Sequence, residues 1–205
     1  MNCCLFDVAH VLSGGFEMGN IWYNEPKSLD VAFDVIGDIV LSAASQQYGG
    51  FTVPSVDLIL EPYAEKSYAK ALAKYISLGV SPVTAEEEAY KDVKKEFEQG
   101  FQGWEYKFNT VASSRGDYPF ITVTAGTGTG RFSRMATIAM LEVRKGGQGK
   151  ADHKKPVLFP KIVFLYDENL HGPGKPLEDV FEAGVQCSAK TMAESDRKRL
   201  CCKHV

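Results

Sequence analysis

Residues 120–143, FITVTAGTGTGRFSRMATIAMLEV, constrain the fold most. A β-branched run enters five residues of alternating glycine and threonine, and a helical pattern leaves them. A strand that turns through glycines into a helix is the half-unit of an α/β fold, because each element buries one face against the other.

The rest of the chain carries the same alternation. Residues 2–8 read as a short apolar strand, and Gly14 and Gly15 as a turn. Residues 24–28 form a loop broken by Pro26, after which Ser28 or Asp30 can cap a helix. Between 29 and 45, Val31, Val35, Ile36, Ile39 and Val40 recur at helical spacing, which predicts a largely buried helix. Residues 46–54 turn at Gly49 and Gly50 into an extended segment. Helices are expected over 62–78 and 85–99, the second closed by Gly100. Its Ala89, Val93 and Phe97 make one apolar stripe on a charged surface helix. Residues 103–112 alternate as a strand and 113–119 form a loop. Strands at 120–125 and 157–166, helices at 133–144 and 177–192, a flexible basic loop at 145–156 and a loop at 167–176 complete the expectation. The class is α/β, as a layered sheet or a barrel.

With 205 residues the chain suffices for one medium domain with a sizeable core. A net charge of −3 and a pI of about 5.8 give no basic surface for nucleic acid or an anionic membrane. No apolar run approaches the ~18–20 residues of a membrane span, and no signal sequence opens the chain. Five cysteines, an odd number without a signal, argue against a disulfide framework and for a reducing, cytoplasmic setting. The text opens inside a strand and ends, over 193–205, in polar sequence without apolar period. Both ends are therefore expected to be cuts in a larger enzyme.

Chemistry has few candidates. At Gly126, Gly128 and Gly130 the missing Cβ atoms would let a phosphate approach the main chain at a helix N-terminus. Yet Gly130 is followed by Arg131 and Phe132, not Lys-Ser/Thr, and the spacing is not that of a dinucleotide fingerprint. A phosphate contact and a plain tight turn both stay open. Cys3 and Cys4 are adjacent in a strand, so only one of them can face a given site, and two small core residues are the simpler reading. Cys201, Cys202 and His204 crowd together without a second cluster, so no metal site is expected. His10, His153 and His171 are scattered and read as structural. Lys27, Arg115 and Asp117 lie on polar loops that could bind a charged ligand or be inert.

Taken in order, NCCLFDVAHVLSGGFEMGN, EPKSLDVAFDVIGDIVLSAASQQYGGFTVPSVD, WEYKFNTVASSRGDYPFITVTAGTGTG, PVLFPKIVFLYDENLHG and VFEAGVQCSAKTM resemble the anaerobic, class III ribonucleoside-triphosphate reductases, from residue 2 to about 192. The resemblance implies a partial ten-stranded α/β barrel of the glycyl-radical type over 1–192, with a non-matching tail at 193–205. It implies reduction of ribonucleoside triphosphates to deoxyribonucleotides by radical chemistry. Formate is the reductant, and an S-adenosylmethionine/iron–sulfur activase makes the glycyl radical. It implies dNTP and ATP effectors, a homodimer, and a C-terminal zinc site outside this chain. Cys3 matches the cysteine that donates hydrogen at C2′. Lys27 and Ser28 match a loop by the effector nucleotide. Residues 113–118, with Ser114 and Arg115, match the loop that relays effector identity to the substrate, and the corner with Gly126, Gly128 and Gly130 follows it. The thiyl-forming cysteine and the radical glycine have no counterpart here, so the chain alone is expected to be inactive. A non-catalytic nucleotide-binding or dimerising remnant is the rival reading, and a phosphate-loop hydrolase built on residues 126–130 a third.

Overall fold

The computed structural model describes residues 3–46, 49–110 and 120–201, with side chains through residue 191. The chain opens with strand β1 (Cys4–Leu5), a single turn α1 (Val8–Leu12) capped by the Asp7 carboxylate, and a hairpin of β2 (Phe16–Met18) and β3 (Ile21–Tyr23). The strand expected at 2–8 is thus shorter, because the Asp7 cap starts a helix at Val8.

Helix α2 (Leu29–Ser45) has the bounds its apolar spacing predicts, and strand β4 (Phe51–Val53) follows. Helix α3 (Val56–Ser77) begins six residues before the expected start, and Pro62 lies inside it. Buried Val56, Leu60, Tyr63, Ala64 and Ser67 hold one stripe across the proline. Helix α4 (Pro82–Thr110) corrects two expectations: Gly100 does not end it, and 103–110 are helix, not strand. Trp104, Tyr106 and Phe108 mimic strand alternation, yet Val93, Phe97, Phe101, Trp104 and Phe108 continue a buried helical stripe. Gly100 is there for close approach, since a Cβ would run into the Phe33 ring of α2. The Trp104 Nε1 donates to the Phe33 carbonyl at 2.9 Å beside it.

Strand β5 (Ile121–Ala125) leads through the glycine corner into α5 (Arg131–Gly146). The basic stretch read as a flexible loop is a small hairpin, β6 (Gln148–Lys150) and β7 (His153–Lys155), turned at Ala151 and Asp152, with positive-φ glycines at 147 and 149 on its first arm. Strand β8 (Lys161–Phe164) follows the cis Phe159–Pro160 peptide, and α6 (Glu178–Cys201) ends the described chain.

Four strands pair in parallel in the order β1-β4-β5-β8. This is a mixed α/β architecture with a parallel sheet; a closed ten-stranded barrel is not seen. Register sorts the strands into two faces. Cys4, Phe51 and Ile121 are level, as are Val53, Val123 and Ile162, and these rows meet the helices in one core with Ile36, Val40, Leu60 and Met135. The alternate row of Leu5, Thr52, Thr122 and Lys161, with Thr124 and Val163 beyond it, turns to the other face. There Leu5 is 76% and Val163 45% exposed, so among the described residues no helix covers that side of them.

Candidate functional site

Cys3 precedes β1 by one residue and alternates with Cys4, which belongs to the helix-covered face. Cys3 is exposed, and its Sγ accepts from the Gly50 N–H at 3.3 Å. Cys4 is half-buried, and burial, with Cys3 beside it, pushes its thiol pKa up. The two cysteines thus divide as alternation predicts, one towards solvent on the open face and one towards the core. Cys187 lies in the core under α5, and burial raises its pKa as well.

The amino end of the sheet gathers several anchors around Cys3. The Cys4 N–H donates to the Gly50 carbonyl at 3.0 Å, and the Phe51 N–H to the Phe120 carbonyl at 2.9 Å. At the end of α4, Asn109 hooks the backbone of Phe159 twice, donating to its carbonyl at 2.6 Å and accepting from its N–H at 3.1 Å. Beneath it the buried Glu105 carboxylate takes Arg144 Nε and Gln148 Nε2, each at 2.6 Å, while Arg144 Nη2 donates to the Pro160 carbonyl at 2.7 Å. The chain therefore leaves α4 at Thr110 and re-enters at Phe120 on the Cys3 side of the sheet. Ser114 and Arg115, on the expected relay loop between those points, lie outside the described residues, as does Asp117.

The other predicted residues sit elsewhere. Gly126 is five positions beyond Ile121, about 16 Å along β5 at ~3.3 Å per residue. Lys27 and Ser28 precede α2, whose 17 residues span about 25 Å at 1.5 Å each. Leu29 N–H donates to Ser67 Oγ of α3 at 2.9 Å, and Lys66 Nζ to Glu25 at 2.6 Å and the Pro26 carbonyl at 3.2 Å, so this loop is docked on α3. Lys27 is exposed, and Ser28 Oγ donates to the Asp30 carboxylate instead of capping the helix backbone. Helix α3 thus carries both the loop of Lys27 and Ser28, at Lys66 and Ser67, and the glycine corner, at Asp57, while Cys3 lies at the other end of the sheet.

At the corner the expected phosphate donors are already committed. The N–H groups of Gly126 and Gly128 donate to Asp57 Oδ2 at 3.1 and 3.2 Å, and both glycines are buried. A Cβ at Gly130 would collide with the Glu61 carboxylate, and Arg131 is held by Glu65 in a two-pronged pair at 3.1 and 2.7 Å. Carboxylates of α3 (Asp57, Glu61 and Glu65) thus line the corner, and Gly130 is half-buried at its rim. Nothing in the sequence around Asp57 announced it; the available signal was a lone carboxylate inside the apolar run 56–60.

Among the described residues no group of three His, Cys, Asp or Glu is gathered as a metal could use, and no helix is long and apolar enough to cross a membrane. His10 and His153 are exposed on α1 and β7, and His171 is buried beside the corner.

The family model described as anaerobic ribonucleoside-triphosphate reductase matches residues 1–197. Proteins of that name from Enterobacteria phage T4 and Haemophilus influenzae are 37% identical over 193 residues and 38% over 192. The Escherichia coli protein of that name is 35% identical over 192 residues. Each alignment covers 93% of this chain but only 31%, 27% and 26% of the respective relative, so the chain spans less than a third of their length. With nearly every residue matched by the one family model, the chain belongs to the anaerobic ribonucleoside-triphosphate reductase family.

Proposed function

We propose that this segment is part of the catalytic α/β barrel of an anaerobic ribonucleoside-triphosphate reductase, and that Cys3 donates hydrogen at C2′ of the ribose. The observation that carries this reading is the placement of Cys3, exposed on the face of the sheet that no helix covers. Support for the barrel comes from strand order. Neighbours in space are successive in sequence, so right-handed crossovers put every connecting helix on one face. Further strands added at the edges would curl the bare face inward, with Cys3, Thr52, Thr122 and Thr124 on its lining. They would also cover the edges that four strands leave unpaired.

The chemistry assigned to this chain is limited. A thiol suits hydrogen donation because its S–H bond is weak enough for radical transfer, and Gly50 N–H fixes the sulfur. The glycyl radical of such enzymes, made by a radical-SAM activase, supplies initiation, with formate as reductant. No residue here is assigned to the radical or to the C-terminal zinc site. Ser114 and Arg115 are assigned to reading the effector, since their loop is rooted at Thr110 and Phe120 beside Cys3. Lys27 and Ser28, with the rim at Gly130, are assigned to nucleotide contact at the far end, while Gly126 and Gly128 shape the corner. Residues 1–192 form one unit of this barrel, acting in a homodimer on ribonucleoside triphosphates under dNTP and ATP control.

The test is Cys3→Ser in a full-length reductase carrying this segment. Deoxynucleotide formation should be abolished while the glycyl-radical signal persists; retained turnover would refute the assignment. The 205-residue chain with activase and formate should form no deoxynucleotide, and activity in that assay would show the remainder of the barrel to be dispensable.

A further inference from the structure

The glycine corner is gripped from both sides by groups of its own chain. Asp57, in the first turn of α3, is fully buried. Its Oδ2 takes three donors: Gly126 N–H at 3.1 Å, Gly128 N–H at 3.2 Å and Thr137 Oγ1 at 3.3 Å. Its Oδ1 takes none among the described residues. The carboxylate lies in the positive N-terminal field of its own helix and close to the start of α5, since a Cβ at Gly128 would touch both it and Ser133.

On the other side, His171 is 2% exposed in the loop after β8. Its Nε2 lies 2.8 Å from the Gly126 carbonyl, and a carbonyl only accepts, so Nε2 carries the proton. Nδ1 takes the Asp167 N–H at 3.0 Å and lies equally near the Asp167 carbonyl. Stacking on Tyr166 and an edge contact with Phe164 fix the ring. Gly126, at φ +128, thus has its N–H held by Asp57 and its C=O by His171.

Successive backbone N–H groups converging on one point form an anion nest. Here the anion is a side chain. We propose that Asp57 and His171 are positioning residues that hold residues 126–128 closed as a nest already filled by the protein's own carboxylate, with Gly130 outside it. The nest then needs no lysine, because its Gly126 and Gly128 amides take no phosphate. It fixes the carboxyl end of β5 and the start of α5 against α3 and the loop after β8. The inference rests on these hydrogen bonds and not on the reductase assignment of Cys3, so either can fail without the other.

The test is chemical rescue. Asp57→Ala vacates the nest, and the thermal midpoint of the 205-residue variant is compared in chloride, acetate and inorganic phosphate at matched ionic strength. A loss in chloride, with about 4 °C or more recovered in acetate or phosphate while the parent moves by less than about 1 °C, is expected on the scale of one to two hydrogen bonds in a chain of this size. A merely structural carboxylate would show no anion-selective recovery, and equal responses of variant and parent would overturn the proposal. A second measurement needs no variant. The Gly126 and Gly128 amide resonances of the parent chain should be slow to exchange and unmoved by inorganic phosphate or a nucleoside triphosphate. Saturable shifts of those amides would show a phosphate site and refute the filled nest.

Discussion

Replacing Arg144 by methionine should unfold this segment more readily than replacing Arg144 and Glu105 together. Glu105 and Arg144 side chains are 4% and 11% exposed, and their 2.6 Å contact joins α4 to the last turn of α5. Arg144→Met leaves a buried carboxylate with only Gln148 as a side-chain donor, and it strips the Pro160 carbonyl of its guanidinium partner. Breaking a buried pair from one side costs about 3–5 kcal/mol, because the remaining charge stays desolvated and unpaired. In a chain of this size that lowers the thermal midpoint by roughly 6–20 °C. The double variant Glu105→Met with Arg144→Met removes both charges and refills the space, leaving chiefly the Pro160 carbonyl and the Gln148 amide, about 1–2 kcal/mol. Urea unfolding of the parent, both single variants and the double closes the cycle, with an unchanged denaturant slope as the check on a common unfolded state. A coupling of about 3 kcal/mol or more is expected, and additivity within ~0.5 kcal/mol would refute the argument.

Two further perturbations read different parts of the structure. Gly100→Ala forces the Phe33 ring from the α2–α4 crossing and should cost about 1–3 kcal/mol despite alanine's better helix propensity; a stabilised variant would show that the crossing is loose. Burial raises the Glu96 pKa above its ordinary 4.5, against the lowering by the Ser67 hydroxyl, with Asp30 and Asp92 adding to the rise. A raised folded-state pKa favours the fold below about that value and ceases to as pH climbs through the folded one. Glu96→Gln should therefore stabilise at neutral pH with a gain that vanishes below pH 4.5, and a pH-independent difference would contradict the burial argument.

What the sequence made legible follows from how each element is buried. Helix α2 was read to its end residues because its buried positions keep one helical period throughout. Strand β5 alternates Ile121, Val123 and Ala125 inward with threonines between, and so announced itself. The end of α4 was misread because its aromatic residues satisfy both a period of two and a period of 3.6; only the upstream stripe from Ala89 decides between them. The corner is the expected strand-to-helix turn, but what grips it could not be read there. That depended on Asp57, 69 residues before Gly126, and His171, 45 residues after it. Separations of that size leave no local pattern.

The division of the candidate residues between two ends of one sheet also separates their roles. A corner whose donors are spent on Asp57 is a fixed point, and through Gly126 it ties β5 to α3 and to the loop after β8. Cys3 at the opposite end stands one residue before the two-residue edge strand β1, and among the described residues its sulfur is held by Gly50 N–H. Between them run β4 and β5, buried on the helix side by Phe51, Val53, Ile121 and Val123. Main-chain pairing links the corner strand to the Cys3 end: β5 to β4, and β4 to β1. The hydrogen donor proposed at Cys3 needs its sulfur placed, not its charge tuned. Among the described residues its hydrogen bond comes from Gly50, the residue just before β4 in that chain of pairing.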